Sequence, residues 1–275
     1  MANRFVVIMA GGKGERFWPA SRMRRPKHLL PIVGDKPMLA QTVDRLEGFI
    51  EPKNIFVITD VVQLEGVRDV CPSLPRENFV AEPVGRDTAA AVGLAMLLIK
   101  EKDPDASLAM LPADALIRDM VGFQKALDVA FLASEERPQL VTIGIRPTDP
   151  ATGYGYIQKG DTIGDYNGTK VFKVIEFKEK PDLETAKVYF ESGDYYWNAG
   201  MFVWSVRAIS DALAQFTPKL QSGLDQIENR INGGEDLNEL LAELYPELEK
   251  ISIDFAVMEK ADNVVTLSAT FDWDD

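Results

Sequence analysis

Short, almost wholly apolar runs alternate with longer amphipathic stretches through the first half of the chain. Because a strand that is buried on both faces has no polar alternation, the apolar runs predict buried strands. These runs are residues 5–10, 55–59, 108–111 and 140–145. The stretches between them carry apolar side chains at helical spacing and predict helices at 37–49, 88–102 and 123–133. We expect Asp87 or Thr88 to cap the second of these helices.

The second half of the chain has a different pattern. Strands are predicted at 154–158, 171–178 and 200–205, and the first two flank a turn-rich stretch that contains Gly160, Gly164, Asn167 and Gly168. Polar, leucine-bearing segments then predict helices at 206–216, 220–231 and 237–244, with a short helical piece around Ile253. No repeat, low-complexity tract or flexible linker is visible.

Taken together, this order of elements predicts an α/β fold. Helices that alternate with strands must cross over between parallel strands, so we expect a Rossmann-like, mixed but mostly parallel central sheet with helices on both faces. A chain of 275 residues, 46% of them hydrophobic, is long enough to bury a large core. One contiguous domain over residues 1–275 is the simplest arrangement.

Composition excludes several classes of function. With a net charge of −13, the chain is a poor general binder of nucleic acid, whose phosphates attract Lys and Arg. No stretch approaches the about 18–20 apolar residues that span a bilayer, so we expect no membrane association and a cytoplasmic location. One cysteine, Cys71, and one histidine, His28, make a zinc site very unfavourable. A metal here would be a hard cation on carboxylates and phosphates, with Mg²⁺ as the first candidate.

A glycine-rich segment, Gly11-Gly12-Lys13-Gly14-Glu15-Arg16, follows the first predicted strand. In an open α/β sheet this is the expected place for a phosphate, because glycines let backbone N–H groups turn toward an anion. The segment does not match a P-loop, and the dinucleotide fingerprint fails at Phe17, where it requires glycine. Basic residues at 16, 22, 24, 25 and 27, with no acid among them, favour a focused anion site over a solvated basic face.

With Phe17-Trp18-Pro19-Ala20-Ser21-Arg22 and Pro26-Lys27, the glycine-rich segment resembles the signature of the nucleotide-diphosphate-sugar pyrophosphorylases. Its F-W-P-x-S-R part is similar to the mannose-1-phosphate guanylyltransferase branch. The resemblance implies that Gly11, Gly12 and Gly14 bind the nucleotide and that Arg16 and Lys27 are catalytic cations. Arg can grip phosphate oxygens bidentately, and Lys supplies a point charge.

Two further segments extend the resemblance on the nucleotide side. Glu82-Pro83-Val84-Gly85-Arg86-Asp87-Thr88 resembles the E-P-x-G-R-[ND]-T motif, which implies nucleotide-binding roles for Glu82, Pro83, Arg86 and Thr88. A carboxylate at Glu82 can accept hydrogen bonds from N1–H and N2–H₂ of guanine, a donor pair that adenine lacks. Leu111-Pro112-Ala113-Asp114 resembles L-P-[AS]-D, which implies that Asp114 binds Mg²⁺. The family usually continues with histidine, whereas this chain has Ala115.

Segments later in the chain resemble the family's sugar side. Gly153-Tyr154-Gly155-Tyr156-Ile157, Phe177-Lys178-Glu179-Lys180-Pro181 and Trp197-Asn198-Ala199-Gly200-Met201-Phe202 resemble G-Y-G-Y-I, F-x-E-K-P and W-N-[SA]-G-[MI]-F. The implied sugar-phosphate ligands are Gly155, Glu179, Lys180 and Asn198. Phe271-Asp272-Trp273-Asp274-Asp275 resembles F-x-W-x-D and implies a second Mg²⁺ carboxylate at Asp275. Because Asp275 is the last residue here, we expect it to fray and to hold the metal weakly.

The resemblance therefore implies a nucleotidyltransferase that forms GDP-mannose and pyrophosphate from GTP and α-D-mannose 1-phosphate. Residues 1–150 would be the nucleotide-binding half and 151–275 the sugar-binding half, without a C-terminal β-helix. Two alternatives stay open: another pair of nucleoside triphosphate and sugar 1-phosphate on the same fold, or a catalytically silent subunit that senses sugar nucleotides. The resemblance also leaves a homodimer open.

Overall fold

The computed structural model describes residues 3–12, 22, 25–269 and 271–275. Within them, nine strands form one sheet with the order β3-β2-β1-β4-β8-β5-β9-β7-β6. The strands are β1 (Arg4–Ala10), β2 (Ile55–Asp60), β3 (Phe79–Glu82), β4 (Ser107–Pro112), β5 (Leu140–Ile145), β6 (Tyr156–Tyr166), β7 (Thr169–Lys178), β8 (Tyr195–Ser205) and β9 (Val264–Ser268).

The first four strands make a parallel block. β1 pairs in parallel with β2 on one side and β4 on the other, and β2 pairs in parallel with β3. Parallel strands end at the same edge of a sheet, so residues that follow β1, β3 and β4 become neighbours there. The register aligns Asp60 with Glu82 and Met9 with Pro112 at this edge. The fold therefore places Gly11, Glu82 and Asp114 along one rim of the sheet.

The rest of the sheet is mixed and closes on itself. β8 runs antiparallel between β4 and β5, and β7 also opposes the direction shared by the other seven strands. Because the first residues of β8 pair with β6 as well, β8, β5, β9, β7 and β6 form a closed ring of five strands. β8 and β9, from residues 151–275, pair with β4 and β5, from residues 1–150, so the two predicted halves share one continuous sheet.

The turn-rich stretch expected between the second-half strands is instead a long hairpin. β6 and β7 pair up to Tyr166 and Thr169, which leaves only Asn167 and Gly168 as the loop. Both have positive φ, 54° and 77°, as a two-residue type I′ turn requires. Gly160 and Gly164 lie inside β6, where the register is irregular. These glycines mark bulges of a strand, and the prediction of a turn over them was wrong.

Helices cover both faces of this sheet. Two predicted helices, Val206–Phe216 and Leu237–Leu244, have the expected bounds, whereas the helices Leu64–Val70 and Leu183–Ser192 and the strands β3 and β9 were not predicted. The described helices are α1 (Met38–Asp44), α2 (Leu64–Val70), α3 (Asp87–Lys102), α4 (Met120–Glu136), α5 (Leu183–Ser192), α6 (Val206–Phe216), α7 (Pro218–Asn232) and α8 (Leu237–Leu244). The piece around Ile253 is a short π-helical turn, Asp254–Met258. No helix among the described residues has the length and apolar character needed to cross a membrane.

The start of α3 differs from the expected cap. Arg86 is the capping residue and makes no side-chain cap hydrogen bond. Asp87 has a φ of 65°, and its carboxylate accepts a hydrogen bond from the Thr88 N–H at 2.8 Å. The Thr88 hydroxyl accepts instead from the Ile253 N–H, also at 2.8 Å. Neither predicted cap residue therefore caps the helix, and Thr88 ties its start to the segment before the π-helical turn.

Two hydrophobic clusters fill the space between the sheet and its helices. In β1, Val7 belongs to one cluster, whereas Val6 and Ile8 belong to the other, as the alternation of side chains along a strand requires. The first cluster includes α3, whose residues 89–99 are all buried, together with α6 and α7. The second includes α4 and α1. These layers leave the carboxyl edge of the parallel strands open, and the candidate site lies there.

Candidate active site

A cavity of about 340 Å³ opens at the carboxyl edge of the sheet. Seven residues singled out from the sequence are among those that line it: Thr88, Asp114, Gly155, Glu179, Lys180, Asn198 and Asp275. They come from the start of α3, the loop after β4, the approach to β6, the loop after β7, the first half of β8 and the last described segment. The fold therefore brings together residues that are up to 187 positions apart in sequence, since the first is Thr88 and the last Asp275.

Lys27 lies beside this cavity, and its ammonium group forms ion pairs with both predicted metal ligands, Asp114 and Asp275. Its ammonium nitrogen is 3.2 Å from Asp114 Oδ2 and 3.4 Å from Asp275 Oδ1. The Lys27 side chain is 13% exposed, and Lys27 begins a short 3₁₀ turn, Lys27–Leu29, that follows Pro26. Two carboxylates thus already share one cation, and hard oxygen donors of this kind suit Mg²⁺.

Charge in the cavity also favours a further cation. The described side chains that line it include four carboxylates, those of Asp114, Glu179, Asp254 and Asp275, and one ammonium group, that of Lys180. Lys27 adds one positive charge from the side. No group of three or more His, Cys, Asp or Glu residues is arranged for metal binding among the described residues. A divalent ion here would need oxygen ligands from a bound phosphate as well as from Asp114 and Asp275.

Backbone pairing fixes the position of Asp275. The Leu116 N–H donates to the Asp274 carbonyl at 2.8 Å, and the Asp274 N–H returns a bond to Leu116 at 3.1 Å. The Asp272 carboxylate accepts from the N–H groups of Arg118 and Asp119, both at 3.0 Å. The segment that carries Asp275 is thereby docked on the loop that carries Asp114. These bonds oppose the fraying that the position of Asp275 led us to expect.

The loop around Asp114 is held from below by α1 and the residue after it. The Thr42 hydroxyl lies 3.3 Å from the Ala113 carbonyl, and the Arg45 guanidinium donates to the Ala115 carbonyl at 3.1 Å. Arg45 is only 4% exposed, and burial lowers its pKa to about 10. The family that the sequence resembles usually has histidine at the position of Ala115. Here the backbone of Ala115, rather than a side chain, receives the supporting contact.

Glu82 lies at the end of β3 and is buried. Its carboxylate accepts a hydrogen bond from the hydroxyl of Tyr245, which is fully buried. Burial raises the pKa of Glu82 to about 7, the Tyr245 bond opposes this, and the charge of Asp60 on the neighbouring strand adds to it. A Cβ at Gly11 would be 3.7 Å from Glu82 Oε2. Glu82 therefore faces the first glycine of the predicted phosphate loop.

Parts of the predicted nucleotide site lie away from the cavity or outside the described residues. Glu82, Pro83 and Arg86 are not among the described residues that line the cavity, although Glu82 ends β3 at the same edge and the other two follow it. Gly12 has a φ of 94°, as expected of a glycine turn, and its carbonyl accepts from the Gln63 amide at 3.2 Å. Gly14 and Arg16 lie outside the described residues.

Asn198 is tied into a network that the sequence did not reveal. Its carbonyl oxygen accepts from the Thr142 hydroxyl at 3.0 Å and from the Gly200 N–H at 3.1 Å. Its amide nitrogen donates to Asp254 Oδ1 at 3.0 Å. Asp254 lines the cavity, and burial together with the nearby Glu179 charge raises its pKa to about 7. Sequence reasoning missed Asp254, because it lies in none of the recognised motifs.

Glu179 and Gly155 fit against each other. A Cβ at Gly155 would lie 2.5 Å from Glu179 Oε2, so only glycine leaves room for this carboxylate. The Glu179 carboxylate pairs with the ammonium of Lys180, and the Glu179 side chain is 10% exposed, whereas that of Lys180 is 55% exposed. Lys180 has a φ of 43°, which is unusual for a residue with a side chain. The predicted sugar-side residues thus form one contiguous surface of the cavity.

Comparison with known proteins agrees with this geometry. The sequence profile of the family described as Nucleotidyl transferase matches residues 5–244. The chain belongs to the nucleotidyl transferase family. This confirms the resemblance noted in the sequence and the expected α/β fold with its mixed central sheet.

Several relatives can be named. The chain is 38% identical over 271 residues to a mannose-1-phosphate guanylyltransferase of Klebsiella pneumoniae, covering 98% of this chain and 57% of that protein. It is 37% identical to the xanthan biosynthesis protein XanB of Xanthomonas campestris, covering 58% of it. Among solved structures, one described as a mannose-1-phosphate geranyltransferase from Thermus thermophilus superimposes with a TM-score of 0.87 at 33% identity, covering 99% of this chain and 76% of that one. The chain thus spans little more than half the length of these curated relatives.

Proposed function

We propose that this chain transfers GMP from GTP to α-D-mannose 1-phosphate and releases GDP-mannose and pyrophosphate. The observation that carries the proposal is the placement of Lys27 between Asp114 and Asp275, next to a cavity whose other wall holds Glu179, Lys180 and Asn198. A cation and carboxylate cluster beside a polar pocket suits a phosphorylated sugar and a nucleotide together. The choice of mannose 1-phosphate is supported by the names of the Klebsiella and Thermus proteins. The choice of guanylyl transfer is supported by the name of the Klebsiella protein.

The reaction needs positioning and charge compensation more than acid–base chemistry. The phosphate oxygen of the sugar phosphate is already ionised near neutral pH, so it can attack the α-phosphorus of GTP in line and displace pyrophosphate. Lys27 would hold oxygens of the α-phosphate or the leaving pyrophosphate, with Arg16 of the glycine-rich loop as its partner cation. Both substrates are anions, and a cluster of fixed cations lowers the cost of bringing them together.

Asp114 and Asp275 would hold Mg²⁺ together with substrate phosphates. The pair fits this role because their oxygens already share a cation, the ammonium of Lys27, and because the cavity carries excess negative charge. Bound Mg²⁺ would neutralise charge on the phosphates of both substrates and align them. When it binds, Lys27 would lose its hold on the two carboxylates and become available to phosphate.

Glu82 would recognise the base, with Pro83, Arg86 and Thr88 around it. One carboxylate oxygen of Glu82 accepts a hydrogen bond from the Tyr245 hydroxyl. The other oxygen faces Gly11, where the nucleotide is expected. A carboxylate in this position can accept the N1–H and N2–H₂ donors of guanine, which adenine cannot offer. Gly11, Gly12 and Gly14 would wrap the phosphates through backbone N–H groups.

The sugar would lie over Gly155 with its hydroxyls on Glu179 and Asn198 and its phosphate near Lys180. The Asn198 amide nitrogen has two N–H groups, and Asp254 receives one of them, so the second remains for a hydroxyl. Residues 1–150 would then supply the nucleotide site and 151–275 the sugar site. We further place the protein in the cytoplasm and leave a homodimer open as its assembly.

A pyrophosphate-release assay tests this proposal. The chain is incubated with Mg²⁺, mannose 1-phosphate and each of GTP, ATP, UTP and dTTP in parallel, and then with glucose 1-phosphate in place of mannose 1-phosphate. Release with GTP and mannose 1-phosphate that disappears with EDTA is the expected result. Preference for UTP or dTTP with glucose 1-phosphate would overturn the assigned substrates. Binding of GDP-mannose without turnover under any of these conditions would instead identify a sensing subunit.

A further inference from the structure

A second polar cavity, of about 450 Å³, lies in the mouth of the five-stranded ring. It is lined from the ends of β5 and β9, from β6 and from the start of β8, all of which belong to that ring, and from the end of α5. It shares no lining residue with the candidate active site. The mouth of a closed ring of strands is a common place for a small-molecule site, because strand ends converge there around an enclosed space.

Two cations line this cavity, Arg146 just after β5 and Lys159 in β6. Neither makes an ion pair with a carboxylate among the described residues, and none of the described residues lining the cavity is acidic. Two uncompensated positive charges that share a concave surface attract an anion.

The remaining lining offers aromatic rings and hydroxyl groups. Lys159 Nζ lies 5.3 Å from the centre of the Tyr196 ring and 3.5 Å from the Gly193 carbonyl, so its position is restrained. The Tyr195 ring stacks on Tyr189 at 3.9 Å with an interplanar angle of 15°, and its hydroxyl is bonded to Glu176. Ser268 adds a hydroxyl group that can hydrogen-bond an anion or its ester, whereas the Thr148 hydroxyl donates to the Asp149 carboxylate at 3.2 Å.

We propose that this cavity is a second ligand site, separate from the catalytic cleft, that binds a small molecule through a phosphate monoester group. Arg146 and Lys159 contact the phosphate oxygens, with the guanidinium as a bidentate donor. The Ser268 hydroxyl donates to the same phosphate or binds a hydroxyl of the group attached to it. The cavity accepts the phosphate whether it is free, on a sugar or on a nucleotide, and rings at Tyr195 and Phe190 provide the surface for the attached group.

Calorimetric titration without Mg²⁺ tests the site, using inorganic phosphate, glucose 6-phosphate and GMP as separate probes. The double variant Arg146→Gln/Lys159→Gln is compared with Arg207→Gln/Lys187→Gln, which removes the same charges from exposed positions that do not line either cavity. We expect at least one probe to bind the natural chain and the control equally. Its Kd should be at least about tenfold weaker in the first variant, since each charge-assisted hydrogen bond is worth about one factor of ten or more.

A second measurement does not depend on any variant folding. In amide NMR spectra of the natural chain, phosphate should shift the Gly193 and Ser268 signals at concentrations that also shift those near Arg146. The probe that gives the lowest Kd shows whether the natural ligand is free phosphate, a sugar phosphate or a nucleotide. Equal binding by both double variants, or shifts confined to the amides of Asp114 and Gly155, would overturn the proposal.

Discussion

The hydroxyl of Tyr245 donates a hydrogen bond to the buried carboxylate of Glu82, although 163 residues separate the two in the chain. Tyr245 begins the short 3₁₀ turn after α8, and Glu82 ends β3. The bond opposes the effects of burial and of Asp60, which raise the pKa of Glu82 to about 7. Tyr245 thus helps to keep the Glu82 carboxylate, the proposed acceptor for the base, charged at neutral pH.

Replacing Tyr245 with Phe should make GTP binding weaker and more dependent on pH. The pKa of Glu82 rises further without the bond, so a larger fraction of the carboxyl is protonated near pH 7 and cannot accept two donors from guanine. As pH rises from about 6 to about 9, the KM for GTP should fall in both proteins, with the midpoint at higher pH in the variant. Steady-state kinetics across this range provide the test.

Tyr166→Phe is the matched control for this change. It removes another tyrosine hydroxyl bonded to a glutamate, Glu136, at 2.5 Å, and neither residue lines the cavity. The KM for GTP of Tyr166→Phe should change with pH in the same way as that of the natural chain. An unshifted profile in Tyr245→Phe would show that the bond does not set the ionisation of Glu82.

Replacing Lys27 with Ala should have two opposite effects. Loss of a preorganised cation should lower the rate of pyrophosphate release by on the order of a hundredfold. Metal binding should strengthen, because Asp114 and Asp275 no longer share an ammonium group with which the metal must compete. Mn²⁺ titration followed by electron paramagnetic resonance measures the second effect in the absence of turnover. Lys36→Ala, which removes an exposed lysine paired with Asp44 at 2.6 Å, should change neither quantity.

Replacing Asp114 with Asn should weaken metal binding and lower the rate by on the order of a hundredfold or more. The amide keeps the shape of the side chain but removes its charge, so Lys27 also loses one of its two carboxylate partners. Asp105→Asn, on an exposed turn, is the control for a lost carboxylate. If Asp114→Asn binds Mn²⁺ as tightly as the natural chain does, Asp114 is not a metal ligand.

Replacing Gly155 with Ala should raise the KM for mannose 1-phosphate severalfold. The new Cβ would meet Glu179 Oε2 at 2.5 Å, and the carboxylate must move away from its place on the cavity wall. Because the clash is with the end of a side chain, the fold should be retained, and thermal unfolding checks this. Gly153→Ala, where a Cβ meets nothing within 4 Å, should bind the sugar phosphate as the natural chain does. Equal KM values in the two variants would contradict the assigned role of Glu179.

Regular elements with strong local signals could be predicted from the sequence. α6 and α8 have the predicted bounds, and capping by Ser205 and Asp236 explains why their starts are sharp. α5 had equally good signals, since Asp182 accepts from the Thr185 N–H at its start and Gly193 has a left-handed conformation at its end. Its few buried residues, with only Ala186 fully covered, left no clear apolar stripe to recognise.

Residues of the site could not be predicted from the sequence where their role depends on contacts between distant segments. Motif residues such as Asp114, Glu179 and Asn198 were named because each lies in a recognisable local pattern. Tyr245 and Asp254 were not, because their importance comes from partners 163 and 56 positions away. No local pattern encodes such a pairing, which depends on how α8 and the π-helical turn pack over the edge of the sheet.

The pairing of Leu116 with Asp274 has a consequence for synthesis of the protein. Lys27 and Asp275 are 248 residues apart, and at a translation rate of about 5–20 residues per second the second is made many seconds after the first. A nascent chain that has folded its first strands therefore exposes Lys27 and Asp114 without the segment that completes the cluster. The protein cannot assemble its full set of charged groups while its 272–275 segment is still inside the ribosome.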